Sequence, residues 1–420
     1  MTTGLVPATV PAGGHAARWL VEALMFLTYA AFGLSWVATT PLMADLKVAY
    51  GLTDAQLGLL STAVSIGKVV APLLTAWLAL RVGVARAIGI GSILICACAL
   101  TPLTTEFGGF LITRFVFGLG GAMVVTLLSP MVMQWFGHAE RALVNSINNV
   151  AVNTGITVTL FATVPLSEAL GWRRTLMVYA AVSLALCLAW WLFGKDAPGE
   201  AAPGEAAPSS PQSGTAGDEA APGYGDVWRR TETWLVALAF AGPLALYLSL
   251  NTWLPRHLME TAHLTKATAS QYTGLFNLVG IPTALVMGVL VQRVGLRRPF
   301  IIAAGVVMGL ASLALVFGGS PVFWWPAAIL LGISFFTYTG PLFTLPMELE
   351  GFTPRHVTLL MGTVFSFAYT VSSFAPVAVG YLRDLTDSFL PGLGMWCVFS
   401  FVLAGAGMLL PETGRRTATN

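Results

Sequence analysis

Residues 64–86 read VSIGKVVAPLLTAWLALRVGVAR, and two features of this stretch decide the fold. The first is an apolar run with one lysine, Lys68, near its middle. Such a run is long enough for a membrane helix, because about 20 helical residues cross a ~30 Å hydrocarbon core. The second is a short basic turn, Arg81-Val82-Gly83, followed by Arg86. Together they predict a membrane-spanning helix that ends in a basic turn at the membrane surface.

The basic turn occurs a second time further along the chain. Residues 288–298 read GVLVQRVGLRR, in which Arg293 and Gly295 repeat the spacing of Arg81 and Gly83 at an offset of 212 (293 minus 81). This repetition predicts that the chain consists of two similar halves. Lys68 has no second copy, because Gly280 stands at the same offset.

The composition indicates an integral membrane protein. The chain has 420 residues, of which 56% are hydrophobic and only 10% are charged, and its mean hydropathy is +0.77. An ordinary soluble domain has about 25% charged residues, and the short alternating segments of a membrane β-barrel are missing. The lipid bilayer is therefore the expected surrounding. A net charge of +2 without a basic block excludes nucleic acid as a partner.

The apolar runs predict an all-α protein with twelve transmembrane helices. Six are expected in the first half and six in the second. Their predicted ranges are 19–41, 55–80, 87–103, 109–133, 142–165, 174–194, 234–255, 269–292, 299–318, 322–345, 357–382 and 393–410.

The predicted domain organisation follows from the segment between the two sets of helices. Residues 195–233 are rich in Ala, Pro, Gly and Ser and acidic, a composition typical of a disordered linker. The expected order is a tail (1–18), a six-helix bundle (19–194), the linker, a second bundle (234–411) and a tail (412–420). Thirteen basic residues on the side of the linker against six on the other favour a cytoplasmic linker, with both termini cytoplasmic, in the inner (plasma) membrane.

The repeated turn resembles the loop signature of the major facilitator superfamily, glycine-x-leucine-x-aspartate-arginine-x-glycine followed by basic residues. The second copy matches it at Gly288, Leu290, Arg293, Gly295 and Arg297. In the first copy Arg81 and Gly83 match. The signature aspartate is replaced by Leu80 in the first copy and Gln292 in the second. The resemblance covers the whole chain and implies two pseudo-symmetric six-helix bundles, with these residues forming a gating loop.

Two further stretches extend the resemblance. Residues 114–122, RFVFGLGGA, resemble the family's arginine-xxx-glycine-x-glycine signature in the fourth helix. Residues 163–176, TVPLSEALGWRRTL, together with 345–348, LPME, and 380–384, GYLRD, resemble the cyanate/nitrate-type transporters of the superfamily. The first implies the fold, and the second implies a small anion as substrate.

Two cations, Lys68 and Arg114, lie inside predicted helices. Because a charge at the bilayer centre costs about 3 kcal/mol on insertion scales, such residues face a water-filled cavity or a partner. The acidic residue clearly inside a predicted span is Glu22. A cavity with two cations and almost no acid attracts anions, so both cations are predicted to bind substrate. The alternatives are a carboxylate partner for Lys68 and a structural role for Arg114 at the first helix.

Neutral polar side chains are expected to orient the substrate. The candidates lie on four of the predicted helices and are Tyr29, Asn149, Asn153, Asn277 and Tyr369. The alternative for the asparagines is hydrogen bonding between helices. Two glycine-proline pairs, Gly242-Pro243 and Gly340-Pro341, are predicted to interrupt helices that the resemblance places around the cavity.

The sequence therefore predicts a monomeric secondary transporter of a small anion, either inorganic or a short carboxylate, that works by alternating access. Anion exchange or uniport is favoured, and Glu22 is the candidate proton site if transport is coupled to protons or another ion. No phosphate loop or nucleophile elbow occurs, so neither an enzyme nor a cofactor is expected. The alternatives are a monocarboxylate or other organic-anion porter, a drug or metabolite efflux pump, and a transporter-shaped sensor.

Overall fold

The computed structural model describes residues 12–197, 224–350, 352 and 354–414. Regular structure in these residues is helical. The centre of the predicted linker and the ends of both tails lie outside the described residues, so the structure does not test the predictions made for them.

Six long helices precede the linker. They are α1 (Ala12–Trp36), α2 (Asp54–Val82), α3 (Val84–Ile95), α4 (Phe107–Trp135), α5 (His138–Leu170) and α6 (Trp172–Phe193). A short helix, Met43–Tyr50, lies between α1 and α2, and 3-10 turns continue α3 as far as Leu103.

Six further helices follow the linker. They are α7 (Thr231–Ala262), α8 (Lys266–Val294), α9 (Arg298–Phe317), α10 (Pro321–Thr337), α11 (Pro354–Thr386) and α12 (Leu390–Ser400, continued by Val402–Leu409). A short helix, Tyr224–Trp228, precedes α7, and the chain after α10 continues through Thr339–Thr344 and Leu345–Met347.

Within the described residues, eleven helical segments are long and apolar enough to cross a membrane. The remaining helix, α2, has 29 residues and lies against both α4 and α11. Eleven segments and α2 together make the twelve spans that the sequence predicts. Many begin or end several residues beyond the predicted apolar runs, because a helix continues past the hydrocarbon core into the interface.

Glycines at helix crossings bring backbones into direct contact. A Cβ added to Gly118 of α4 would lie 2.4 Å from the carbonyl oxygen of Val64 in α2, and one added to Gly67 of α2 would lie 2.7 Å from the backbone nitrogen of Leu119. No side chain fits at either position. The glycine signature of the fourth helix is therefore a packing device that places α2, and with it Lys68, close to α4.

The two glycine-proline pairs behave differently. As predicted, the helix is interrupted near Gly340-Pro341: α10 ends at Thr337, and a separate short helix, Thr339–Thr344, contains the pair. The expected interruption at Gly242-Pro243 is wrong, because α7 continues through both residues. Neighbouring helices in a membrane compensate for the backbone hydrogen bond that a proline removes, so a proline bends a helix without ending it.

The two ends of the helices define two faces of the molecule. We call the end that carries Arg81, Lys195 and Arg297 the linker face, and the end that carries Asp54 and Asp384 the distal face. Contacts between the halves run along α2 with α11 and α5 with α8. Residues of α1, α2, α4, α7 and α11 border the space between the halves.

A repeated capping contact relates the halves at the linker face. Asp196, just after α6, accepts a hydrogen bond from the backbone N–H of Ala85 at the start of α3 (3.0 Å). Glu412, just after α12, accepts from the backbone N–H groups of Arg297 (2.8 Å) and Arg298 (3.0 Å) at the start of α9. Ala85 and Arg297 are again 212 residues apart (297 minus 85). A carboxylate at the N-terminus of a helix satisfies free N–H groups and complements the helix dipole.

Candidate functional site

A cavity of about 790 Å³ lies between the halves and opens on the linker face. Its residues come from α1, α2, α4, α7 and α11 and from the short helix before α7. They are Tyr29, Lys68, Val69, Ala122, Val125, Thr126, Ser129, Tyr224, Trp228, Trp234, Gly362, Thr363, Phe365, Ser366, Phe367 and Tyr369. Lys68 is the one charged residue in this lining, and no acidic side chain of the described residues belongs to it.

Lys68 is buried, with 9% of its surface exposed, and it lies among aromatic rings. Its Nζ is 3.5 Å from the ring centre of Trp36 and 5.4 Å from that of Phe32, both on α1. The ring of Tyr369, across the cavity on α11, is 5.9 Å away. A ring face attracts a cation but carries no net charge. None of the ion pairs among the described residues includes Lys68, so its charge is not neutralised by them.

Arg114 is also buried, but the structure does not bring it into the cavity. Its Nη1 donates to the backbone oxygen of Ser35 (2.9 Å), and its Nη2 donates to that of Trp36. Its Nε lies 3.5 Å from the backbone oxygen of Leu60. Ser35 and Trp36 form the end of α1, where carbonyl groups lack partners within the helix. Arg114 therefore satisfies the last carbonyls of α1, which is the structural alternative that the sequence left open.

Asn153 and Asn277 meet in a buried network at the contact between the halves. The hydroxyl of Tyr247 is 2.9 Å from Oδ1 of Asn153 on α5 and 2.7 Å from Oδ1 of Asn277 on α8. Nδ2 of Asn277 donates to Oδ1 of Asn251 and to the backbone oxygen of Thr273, both at 2.9 Å. These donations fix the orientation of the Asn277 amide. Both asparagines thus hydrogen-bond between helices, outside the cavity lining.

The network borders a second, much smaller cavity toward the distal face. This space has a volume of about 10 Å³, roughly that of one water molecule. Its lining includes Trp36, Ser61, Tyr247, Asn251 and Thr252. The hydroxyls of Ser61 and Thr252, one from each half, are 2.8 Å apart. The path from Lys68 toward the distal face is therefore closed by packed polar side chains.

Of the remaining predicted site residues, the two tyrosines line the cavity, whereas Asn149 and Glu22 do not. Tyr29 and Tyr369 line the cavity, and their hydroxyls make no hydrogen bond to other described residues. Asn149 is exposed and does not line the cavity. Glu22 is buried outside the lining, and its Oε2 accepts a hydrogen bond from Nδ2 of Asn148 (3.3 Å). Oε1 of Glu22 and Oδ1 of Asn148 are buried without partners.

The predicted gating turns lie at the linker face. Gly83 and Gly295 have positive φ angles of 90° and 74°, a backbone conformation that favours glycine and explains its place in both turns. The guanidinium of Arg81 lies 4.3 Å from the ring centre of Trp77. Gly288 has open space around it, and Arg293 is exposed. Arg297 forms an ion pair with Glu348 (2.8 Å) within the second half.

Sequence reasoning missed the aromatic surroundings of Lys68 and the mouth of the cavity. The ring of Trp36 lies directly beside Lys68. At the mouth, Nε1 of Trp228 donates to Oγ1 of Thr363 on α11 (3.0 Å), and Nε1 of Trp234 donates to the backbone oxygen of Trp228 (2.9 Å). The signal was the aromatic residues Tyr224, Trp228 and Trp234 at the end of the predicted linker (195–233) and just after it. A disordered segment is poor in aromatic residues, and the structure has a helix there, Tyr224–Trp228.

Charged contacts join the halves at the distal face. Asp54, at the start of α2, forms ion pairs with Lys47 (2.9 Å) and with Arg256 of α7. Asp384 of α11 accepts from the backbone N–H groups of Asp54 (2.9 Å) and Ala55 (2.8 Å). A third contact between the halves is the ion pair of Lys266 with Asp45 (2.7 Å).

Comparison with known proteins places this arrangement among transporters. A sequence model of the Major Facilitator Superfamily matches residues 25–376. An uncharacterized protein of Campylobacter jejuni is 28% identical over 61% of this chain and 75% of its own length. A probable sulfoacetate transporter, SauU, of Cupriavidus necator is 28% identical over 93% of this chain and 92% of its own. A gentisate transporter of Corynebacterium glutamicum is 26% identical over 94% of this chain and 87% of its own.

The fold is also similar to solved structures. A bacterial homologue of the human lysosomal transporter Spinster, in an inward-facing and unoccupied conformation, superposes with a TM-score of 0.73. The two chains are 15% identical, and the match covers 94% of this chain and 96% of the other. At this identity the similarity establishes the fold alone.

Proposed function

The chain belongs to the Major Facilitator Superfamily, and we propose that it is a secondary transporter that moves a small organic anion across the membrane. The family and the relatives of Cupriavidus necator and Corynebacterium glutamicum are transporters rather than enzymes. Two of these relatives, which match nearly the whole chain, are named for organic acids, sulfoacetate and gentisate.

The observation that carries the proposal is the environment of Lys68. Its charge borders a cavity of about 790 Å³ whose described lining contains no acid, and the centres of three aromatic rings lie 3.5–5.9 Å from its Nζ. An anion that enters the cavity would form a charge-assisted hydrogen bond with Lys68, which has no acidic partner among the described residues. A cation would meet an uncompensated positive charge in a medium of low dielectric constant. The cavity therefore favours anions.

The size and lining of the cavity favour an organic anion over an inorganic one. Ligand sites for small organic molecules have volumes of about 300–1,000 Å³ and mostly apolar walls, and this cavity falls within that range. An ion the size of nitrate or cyanate would leave most of the volume to water. The organic-anion porter that the sequence left as an alternative is thus the better supported of the two anion hypotheses.

We further propose transport by alternating access around Lys68. The cavity is accessible from the linker face, whereas the contacts of Asp54 and Asp384 hold the halves together at the distal face. The excess of basic residues supports a cytoplasmic linker face and an inner-membrane location. The structure then corresponds to the state that is open to the cytoplasm, and we propose that the monomer is the functional unit.

Counterflow in liposomes tests the proposal. Vesicles that contain the purified protein are loaded with unlabelled gentisate or sulfoacetate, and entry of the same labelled compound is measured. We expect Lys68→Gln to lower the rate at low substrate concentration by about tenfold or more, since hydrogen bonds to charged groups contribute about 1.5–3 kcal/mol. Lys195→Gln, which changes an exposed lysine outside the cavity, serves as the matched control.

The same assay separates the proposal from its rivals. Efflux of neutral or cationic drugs would be supported if a neutral compound exchanged and Lys68→Gln left its rate unchanged. A sensor would show no exchange of any compound tested. Either result would contradict the proposal that the protein transports an organic anion.

Glu22 is our candidate for coupling to protons. A protonated Glu22 can donate from Oε1 to the unpartnered Oδ1 of Asn148 while Oε2 keeps accepting from Nδ2, which would pair every polar atom of both side chains. Arg18, one turn before Glu22, is paired with Glu140, and Arg141 donates to backbone oxygens of Met133 and Phe136. Proton symport predicts that an imposed pH gradient drives accumulation and that Glu22→Gln abolishes this effect. Anion exchange or uniport predicts no response.

A further inference from the structure

We infer that the preferred substrate is a monovalent carboxylate with an aromatic body, whose carboxylate binds Lys68 and whose ring lies between Tyr29 and Tyr369. This inference rests on the proposed anion transport and adds the charge and the shape of the anion. It follows from three observations: the number of available cations, the tyrosine hydroxyls that line the cavity with Lys68 and the aromatic content of the cavity lining.

The number of available cations sets the charge of the substrate. The sequence predicts two cations in the cavity, but the donors of Arg114 are directed at the carbonyls of Ser35, Trp36 and Leu60. Lys68 is the remaining cation, and it is the one charged residue of the described lining. A second negative charge on the substrate would be taken from water without a partner, which is strongly unfavourable. One cation therefore selects a monoanion over a dianion.

Two tyrosine hydroxyls that can donate to a carboxylate belong to the same cavity as Lys68. The ring of Tyr369 is 5.9 Å from Nζ of Lys68, and Tyr29 lines the same cavity from α1. The hydroxyls of both tyrosines make no hydrogen bond to the other residues that the structure describes. A carboxylate has two oxygens that accept several hydrogen bonds. It can accept from Lys68 with one oxygen and from a tyrosine hydroxyl with the other.

The rest of the lining suits a flat, apolar body. Seven of its sixteen residues are aromatic: Tyr29, Tyr224, Trp228, Trp234, Phe365, Phe367 and Tyr369. Aromatic rings prefer to meet other rings in offset-stacked or edge-to-face arrangements, which adds to the gain from burying apolar surface. Two of these rings come from opposite halves, Tyr29 from α1 and Tyr369 from α11. A substrate ring between them would contact both halves.

The test compares four probes on the purified full-length protein, with binding measured by isothermal titration near neutral pH. Benzoate is an aromatic monoanion, benzamide its neutral counterpart, acetate a monoanion without a ring, and phthalate an aromatic dianion. We expect benzoate to bind about tenfold or more tightly than each of the other three. Lys68→Gln should remove the preference for benzoate over benzamide, and Lys195→Gln should preserve it.

A second pair of variants tests the ring without depending on the charge. Tyr369→Phe keeps the ring and removes the hydroxyl, whereas Tyr369→Leu removes both. We expect only Tyr369→Leu to bring the affinity for benzoate down toward that for acetate. The wild-type ranking of the probes stands even if a variant fails to fold.

The outcomes distinguish this inference from the proposed function. If acetate or phthalate binds as tightly as benzoate and its binding depends on Lys68, organic-anion transport stands and the aromatic monoanion is refuted. If benzamide binds as tightly as benzoate, the charge assignment fails, and if none of the four probes binds, both the charge and the ring assignments fail. Benzamide binding that is also indifferent to Lys68→Gln would overturn the proposed function itself.

Discussion

At the distal face two ion pairs join the halves of the molecule, Arg256 with Asp54 and Lys266 with Asp45. At the linker face the ion pairs of Arg18 with Glu140 and of Arg297 with Glu348 each lie within one half. The distal contacts must separate before the cavity can open on that side. The linker-face contacts can move with their own half as a rigid unit.

For the alternating access proposed above, this difference indicates what determines the balance between the two states. Contacts that exist in one state alone set the free-energy difference between the states, whereas contacts present in both affect only overall stability. Asp54 and Asp384 are of the first kind. Arg114 and the Arg297–Glu348 pair are of the second, because every partner of each lies within one half. Substitutions at the two kinds of site should therefore have separable effects.

The largest effect is expected for Arg114→Gln, which acts within the first half. The change leaves up to three buried carbonyl groups without a donor, each at a cost of about 1–3 kcal/mol. We expect a loss of several kcal/mol in unfolding free energy, seen as a clearly lower thermal midpoint in detergent. Arg81→Gln, which changes an exposed arginine, should leave the midpoint within error of wild type. An unchanged midpoint for Arg114→Gln would contradict its role at the end of α1.

A smaller effect, on the balance of states, is expected for Asp384→Ala. Asp384 accepts from two backbone N–H groups at the start of α2, across the halves. Loss of such a cap costs about 0.5–2 kcal/mol, which corresponds to an about two- to thirtyfold shift toward the state that is open at the distal face. Spin labels at the exposed Val48 and Leu385, with the four native cysteines replaced by serine, report the distance between the halves. We expect a larger population of long distances.

Asp387→Ala is the matched control for this prediction. Asp387 lies one turn further along and pairs with Arg383 of its own helix (3.0 Å). Its removal should leave the distance distribution unchanged. If both variants shift the distribution equally, the contact across the halves is not what holds the distal face closed.

The sequence predicted the twelve spans and the burial of Lys68, because both depend on local properties. The length of an apolar run determines whether it spans a membrane, and a charge within such a run must face a cavity or a partner. The same reasoning placed Arg114 in the cavity. It could not separate the two cations, because the partners of Arg114 are backbone carbonyls, which every residue has.

Contacts between distant parts of the chain were also beyond the sequence. Asp384 and Asp54 are separated by 330 residues, and nothing in either neighbourhood indicates the other. The caps that Asp196 and Glu412 provide were missed because each lies beyond the predicted last helix of its half, where the pattern of apolar residues ends. The four-residue spacing of the asparagines in α5 also did not predict which of them lie in the interior. Asn153 joins the network of Tyr247, whereas Asn149, one turn away, is exposed.

The smallest effect is expected at the linker face, for the pH dependence of stability through Glu348. The little burial it has would raise the pKa of Glu348, but hydrogen bonds from Arg297 and Thr413 and the charge of Arg297 outweigh this and hold the pKa below its ordinary value of 4.5. A carboxyl group with a lowered folded pKa stabilises the fold above its unfolded pKa, and this contribution is lost as the pH falls through the folded value. For an exposed ion pair the contribution is about 0.2–1 kcal/mol.

Glu348→Gln should therefore lower the thermal midpoint slightly near neutral pH, and the difference from wild type should disappear as the pH falls below 4.5. Glu350→Gln is the control, because Glu350 is exposed and has no ion pair among the described residues. The distance between labels at Val48 and Leu385 should not change in either variant. A shift in that distance for Glu348→Gln would mean that the linker face, too, carries a contact present in one state alone, and the contrast between the two faces would be lost.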